Sequence, residues 1–183
     1  YFAPLDGSTP RLLVDAGTLC TVRSGDWVYA SFDDGRVLRL SADGSRTEEL
    51  LPAGGTVYRE LIPFEGGFIG VWYSLREGTG RDLYRNGSQM PEVFAPGGDG
   101  YIGNCVCGRY LTCIDYSGND GCRLIALDPG RLEMVWETPV ESSAELLCDD
   151  EGILCFIPNS GKLYRLNEET GALSPTGLPL AKT

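Results

Sequence analysis

The sequence predicts an all-β fold, and three observations lead there. Apolar runs of about five residues alternate with turns rich in Gly, Asn and Asp. One layout of such runs returns at a nearly constant period. No window of a dozen residues shows apolar spacing of three and four between caps, so almost no helix is expected.

The second strands carry the repeat. They are Gly25-Asp26-Trp27-Val28-Tyr29-Ala30-Ser31-Phe32, Gly66-Gly67-Phe68-Ile69-Gly70-Val71-Trp72, Gly108-Arg109-Tyr110-Leu111-Thr112-Cys113-Ile114 and Glu151-Gly152-Ile153-Leu154-Cys155-Phe156-Ile157. Their starts at 25, 66, 108 and 151 lie 41, 42 and 43 residues apart. A fixed period of about 40 residues in strand-like units is the signature of a β-propeller array. Trp27, Phe68, Tyr110 and Ile153 fall at equivalent places in this alignment and are expected to pack blade on blade.

Each unit continues alike. A turn such as Asp33-Asp34-Gly35 or Asn159-Ser160-Gly161 leads into a third strand, such as Val37–Leu40 or Leu163–Leu166. A second turn follows, among them Asp43-Gly44-Ser45 and Asn86-Gly87-Ser88. Asp-Gly and Asn-Gly supply the positive φ of tight hairpins. An outer strand such as Glu133–Trp136 completes the unit, and Pro175 makes the last one, Ala172–Thr176, weak. The innermost strands are read at Leu19–Val22, Val57–Ile62, Tyr101–Cys105 and Glu145–Cys148.

This gives one propeller domain over 1–183, with a half blade at 1–15 and blades at 16–54, 55–97, 98–141 and 142–183. Leu5-Asp6-Gly7-Ser8 mirrors Ala42-Asp43-Gly44-Ser45, and Leu12-Leu13-Val14 stands where an outer strand would. Two readings follow: a segment of a larger propeller of six to eight blades, or a ring that Leu12–Val14 closes. The segment reading is preferred, because propellers have about four to eight blades and four is the low end. It carries the expectation of self-association through open blade edges.

At this point the blades resemble known propeller families. Leu38-Arg39-Leu40-Ser41-Ala42-Asp43-Gly44-Ser45 and Leu163-Tyr164-Arg165-Leu166-Asn167 resemble the strand–turn unit of bacterial propellers related to the YWTD propeller of lipoprotein receptors. Leu124-Ile125-Ala126-Leu127-Asp128-Pro129, followed by Val135-Trp136-Glu137, is similar to a quinoprotein-type repeat. The YWTD tetrapeptide is absent and no quinone-binding set matches. The resemblance implies a blade architecture and a setting at the bacterial cell envelope, and no activity.

Composition narrows the function. With 15 Lys and Arg against 26 Asp and Glu, the net charge of −11 argues against nucleic acid, whose phosphates need a basic face. No apolar run approaches the length of about 20 residues that spans a membrane. Without histidine, Ser-His-Asp and Cys-His catalysis and every imidazole metal site are excluded. Seven cysteines, mostly inside apolar runs, read as small buried hydrophobes. Cys105-Val106-Cys107 is the only tight pair, and nothing of matching spacing completes a metal set. No cofactor is expected.

Propellers usually bind at the channel mouth, so the site candidates are polar residues of the inner strands: Arg59, Glu60, Tyr101, Asn104 and Glu145. Arg59 and Glu60 adjoin, and strand alternation should point them to opposite faces. The loop Asp115–Gly121 holds a partial oxygen set for calcium, though a hairpin turn accounts for it. Asp149-Asp150-Glu151 reads as a solvated turn. Trp72, Tyr73 and Tyr84 are read as a sugar-stacking surface or as packing between blades. The function expected is a non-catalytic module that binds a protein or carbohydrate ligand, as part of a larger bacterial surface protein. The alternatives are a glycan-active enzyme with paired channel carboxylates and a structural spacer.

Overall fold

A computed structural model describes residues 15–76, 78–94, 102–116, 121–140 and 142–177. Residues 1–14 of the half blade, with the segment Leu12–Val14, Tyr101 and most of the Asp115–Gly121 loop therefore lie outside the described residues. The chain divides into two compact units, Tyr1–Phe94 and Ala95–Thr183.

Unit 1 holds two four-stranded antiparallel sheets. Blade 1 is β1 (Thr18–Ser24), β2 (Trp27–Phe32), β3 (Val37–Ser41) and β4 (Thr47–Leu51). Blade 2 is β5 (Tyr58–Phe64), β6 (Gly67–Ser74), β7 (Gly78–Arg85) and β8 (Glu92–Val93). Unit 2 repeats the pattern. Blade 3 is β9 (Ile102–Cys107), β10 (Leu111–Asp115), β11 (Cys122–Leu127) and β12 (Met134–Val140). Blade 4 is β13 (Glu145–Asp149), β14 (Gly152–Ile157), β15 (Lys162–Leu166) and β16 (Leu173–Pro175). In every sheet the strands follow in sequence order as meanders. The fold class is all-β: four four-stranded antiparallel blades of the β-propeller type, two in each unit. Helix among the described residues is one 3₁₀ turn at Pro158–Ser160.

Within unit 1 the two blades share a core of Tyr29, Val37 and Leu51 from blade 1 and Tyr58, Leu61, Phe68 and Tyr84 from blade 2. Phe68 is fully buried, edge-on to Tyr58 at 6.0 Å and stacked on Tyr84 at 5.0 Å. Glycines make room for the rings. A Cβ on Gly70 would stand 2.3 Å from the Tyr58 ring, and one on Gly80 would stand 2.0 Å from Trp72. Within unit 2, Ile114, Cys122 and Leu124 of blade 3 meet Leu146, Ile153, Cys155 and Leu166 of blade 4. Asn104 Oδ1 accepts the Leu146 N–H at 2.7 Å, joining the two inner strands.

The equivalence of Trp27, Phe68 and Ile153 needs correction. The β1–β2 turn is Gly25-Asp26, closed by Ser24 opposite Trp27, while the β5–β6 turn is Glu65-Gly66, closed by Phe64 opposite Gly67. Trp27 therefore corresponds to Gly67, one residue before Phe68. A slip of one residue reverses the face of a strand. Trp27 packs toward the blade that follows it, whereas Phe68 and Ile153 pack toward the blade that precedes them.

Other expectations shift as well. Tyr84 is 4% exposed in the shared core, so it offers no stacking surface; Tyr73, at 57%, does lie open. Four of the seven cysteines, Cys105, Cys113, Cys122 and Cys155, are buried, but Cys20 and Cys107 are half-buried and Cys148 is exposed. Burial pushes the Cys107 and Cys155 thiols up to about 11, which keeps them protonated at neutral pH. Asp149-Asp150-Glu151 is more than a solvated turn, because Arg165 spans Asp149 at 2.5 Å and Glu151 at 3.2 Å.

That Arg165 hydrogen bond holds the Asp149 carboxyl down at about 2. A lowered carboxyl stabilises the fold above its ordinary range near pH ~4, and the stabilisation is lost as pH falls through the folded value. A carboxyl-carbon NMR titration should place the Asp149 midpoint near 2. Arg165→Met should return it toward the usual aspartate range, and an unmoved midpoint would show that the guanidinium is not the cause.

Candidate functional site

The inner-strand candidates come first. Arg59 and Glu60 lie on β5 and are both exposed. The expectation that alternation sets them apart is overturned by a β-bulge: Tyr58 pairs with Trp72 and Glu60 with Val71, which leaves Arg59 unpaired in the ladder. The extra residue breaks the alternation and lets both side chains reach solvent. Asn104 is exposed, and its side-chain oxygen is committed to the Leu146 amide. Glu145 is exposed beside that junction, at the start of β13. Asn104 and Glu145 are thus brought to one junction in unit 2, while Arg59 and Glu60 belong to unit 1.

A more enclosed site lies elsewhere in unit 1. Blades 1 and 2 leave a cleft of about 310 Å³ between the end of β4 and the β7–β8 side of blade 2. Leu51 and Pro52 line it from blade 1, and Met90, Pro91 and Val93 line it from blade 2. Met90 is 78% exposed and Val93 80%, so these walls are free of protein cover. The polar groups are few and convergent. Tyr58 is 1% exposed, and its hydroxyl donates to Asp82 Oδ2 at 2.8 Å. Burial, then the bond to Asp82, raises the Tyr58 hydroxyl above its ordinary pKa. The phenol stays protonated and keeps donating.

Local sequence explains this arrangement. Tyr58 opens β5 directly opposite Trp72, and Gly70 vacates the space its ring fills. Asp82 pairs with Gly70 on one side and with Val93 on the other. The two-residue β8 is the outer edge of its sheet and leaves the cleft unroofed. The Tyr58–Asp82 pair escaped sequence reasoning because 24 residues separate its members. The available signal was strand parity: Asp82 pairs with Gly70, and Tyr58 pairs with Trp72, two residues further along β6 and on the same face as Gly70.

Unit 2 has a hollow at the matching place between its own blades. About 530 Å³ is bounded by Pro139, Val140, Ile157, Lys162, Tyr164 and Leu173. Tyr164 pairs with Cys155 as Asp82 pairs with Gly70. A third hollow, of about 490 Å³, sits over the β3–β4 turn. Its carboxylate, Asp43, is satisfied within the turn by Ser41 at 2.5 Å and by the Ser45 amide and hydroxyl, both at 2.9 Å. Those hydrogen bonds hold it at about 2. Among the described residues, no group of three His, Cys, Asp or Glu is arranged to hold a metal ion. Of the calcium-loop candidates, Asp115 is fully buried on Arg123 at 2.5 Å.

No family model matches the chain, and no curated protein does. Among solved structures, BamB from Moraxella catarrhalis is similar at 16% identity and a TM-score of 0.37, over 84% of this chain and 49% of that one. The β-propeller domain of Cps50 (Swd1) from Myceliophteria thermophila is similar at 12% identity and a TM-score of 0.37, over 90% of this chain and 73% of that one. The chain thus spans about half the length of the BamB structure it matches.

Proposed function

We propose that this chain is a non-catalytic binding module that takes side chains of a polypeptide partner into the clefts between its blades. The observation that carries the reading is the cleft between blades 1 and 2. It is apolar over most of its lining, with Thr56, Tyr58, Asp82 and Gln89 as its polar side chains, and close to the lower size of small-ligand sites, about 300 Å³. Its recurrence between the blades of unit 2 supports a surface made of repeated grooves. The same proposal sets the module in a larger bacterial cell-surface protein, the setting that YWTD-type blades imply.

The acidity of the carboxyls supports binding over glycan hydrolysis. A glycosidase acid needs a raised pKa. Asp34, Asp43 and Asp149 are each shifted down, by hydrogen bonds, the opposite direction from the one a glycosidase acid needs.

The test is ¹⁵N–¹H NMR of the labelled chain titrated with n-hexanol as an apolar probe. Saturable shifts centred on Leu51, Tyr58, Asp82 and Val93 are expected, and Val93→Asp should weaken them at an exposed position that leaves the fold intact. Shifts scattered over the surface, or none, would remove the basis of this reading.

A further inference from the structure

Asp82 is the one charged side chain lining the cleft, beside the neutral Thr56 and Gln89, and Tyr58 is the donor it has. Among the described residues of unit 1, the ion pairs are Arg36 with Asp34, Arg39 with Glu48 and Arg85 with Glu92, and none involves Asp82. Its Oδ2 accepts from Tyr58, and Oδ1 has no donor among the described residues. A partly buried carboxylate is stabilised by a cation more than by a phenol. Beside it the uncovered side chains of Met90 and Val93 form an apolar strip.

We infer that the cleft between blades 1 and 2 receives a lysine side chain of a polypeptide partner, its ammonium on Asp82 Oδ1 and its stem along Leu51, Met90 and Val93. Lysine combines a long apolar stem with a charged head, which is the sequence of surfaces this cleft offers. Arginine fits less well. Its planar fork aims at both oxygens of a carboxylate, and the Tyr58 hydroxyl already takes one of the acceptor positions on Oδ2. The free edge of β8 leaves room for the partner's backbone beside the cleft. The net charge of −11 draws basic partners toward the surface. This inference rests on the binding reading above and names the chemistry of what binds.

Four blocked amino acids test it on the labelled chain: the Nα-acetyl methylamides of lysine, norleucine, Nε-acetyl-lysine and arginine. Lysine should bind at least about 10-fold more tightly than norleucine, the worth of one charge-assisted hydrogen bond. Nε-Acetyl-lysine should fall to the level of norleucine. Asp82→Asn keeps the shape and a hydrogen-bond acceptor for Tyr58; it should erase the lysine advantage and leave norleucine unchanged. Tyr58→Phe keeps the carboxylate and should keep the advantage. Equal binding of lysine and norleucine in the cleft would overturn the lysine assignment while the binding reading stands. Arginine at or above lysine would also overturn it. If none of the four moves the cleft amides, and hexanol does not either, the binding reading itself fails.

Discussion

Phe68→Ala should lower the free energy of unfolding by about 3–5 kcal/mol, the range for deleting a buried phenylalanine. Phe68 is fully buried where blade 2 meets blade 1, and two aromatic rings rest on it. Truncation removes the ring's burial and opens a cavity that Tyr58 and Tyr84 cannot both fill, because each is held by its own strand. Against a total of about 5–15 kcal/mol for a typical domain, the loss is large. Phe68→Leu keeps most of the volume and should cost less than about 1.5 kcal/mol. Urea unfolding followed by tryptophan fluorescence reads both variants, since Trp27 and Trp72 flank this cluster. A loss below about 1 kcal/mol for the alanine variant would mean that the shared core does not hold the two blades together.

The second large effect is an asymmetry at Asp115 and Arg123. The carboxylate is fully buried, while the guanidinium is 35% exposed and also reaches Glu137 at 2.8 Å. Arg123→Met takes the guanidinium away from a buried carboxylate and should cost about 3–5 kcal/mol. Asp115→Leu leaves an arginine that still has Glu137 and water, and should cost about 1–2 kcal/mol. The double variant should be more stable than Arg123→Met alone, because no buried charge is left behind. Urea midpoints of the three variants decide it, and an Asp115→Leu loss larger than that of Arg123→Met would reverse the assignment of which charge is the costly one.

Much of the fold was legible because a blade is a local object. Its hairpins rest on turn residues adjacent in sequence: Gly25, Gly44 and Gly87 all take the positive φ their turns require. Register was less legible. Anchoring the repeats on glycine put Trp27 level with Phe68, although Gly25 stands first in its turn and Gly66 second in its own. The separation expected of Arg59 and Glu60 rested on alternation, and one bulge at Arg59 cancels alternation without any mark in composition.

The sequence by itself determined the strand periodicity, the turns and the four-strand repeat, since each follows from side chains a few residues apart. It also showed that this chain brings no imidazole of its own to any chemistry, because it holds no histidine. Only the tertiary structure decided which residues line a cleft. The cleft exists because β4 of one blade ends beside a β8 of just two residues in the next. Tyr58 reaches Asp82 on the diagonal over Gly70, whose missing side chain supplies the space, a juxtaposition set by pairing register and by volume, neither of which is carried by any short stretch of sequence.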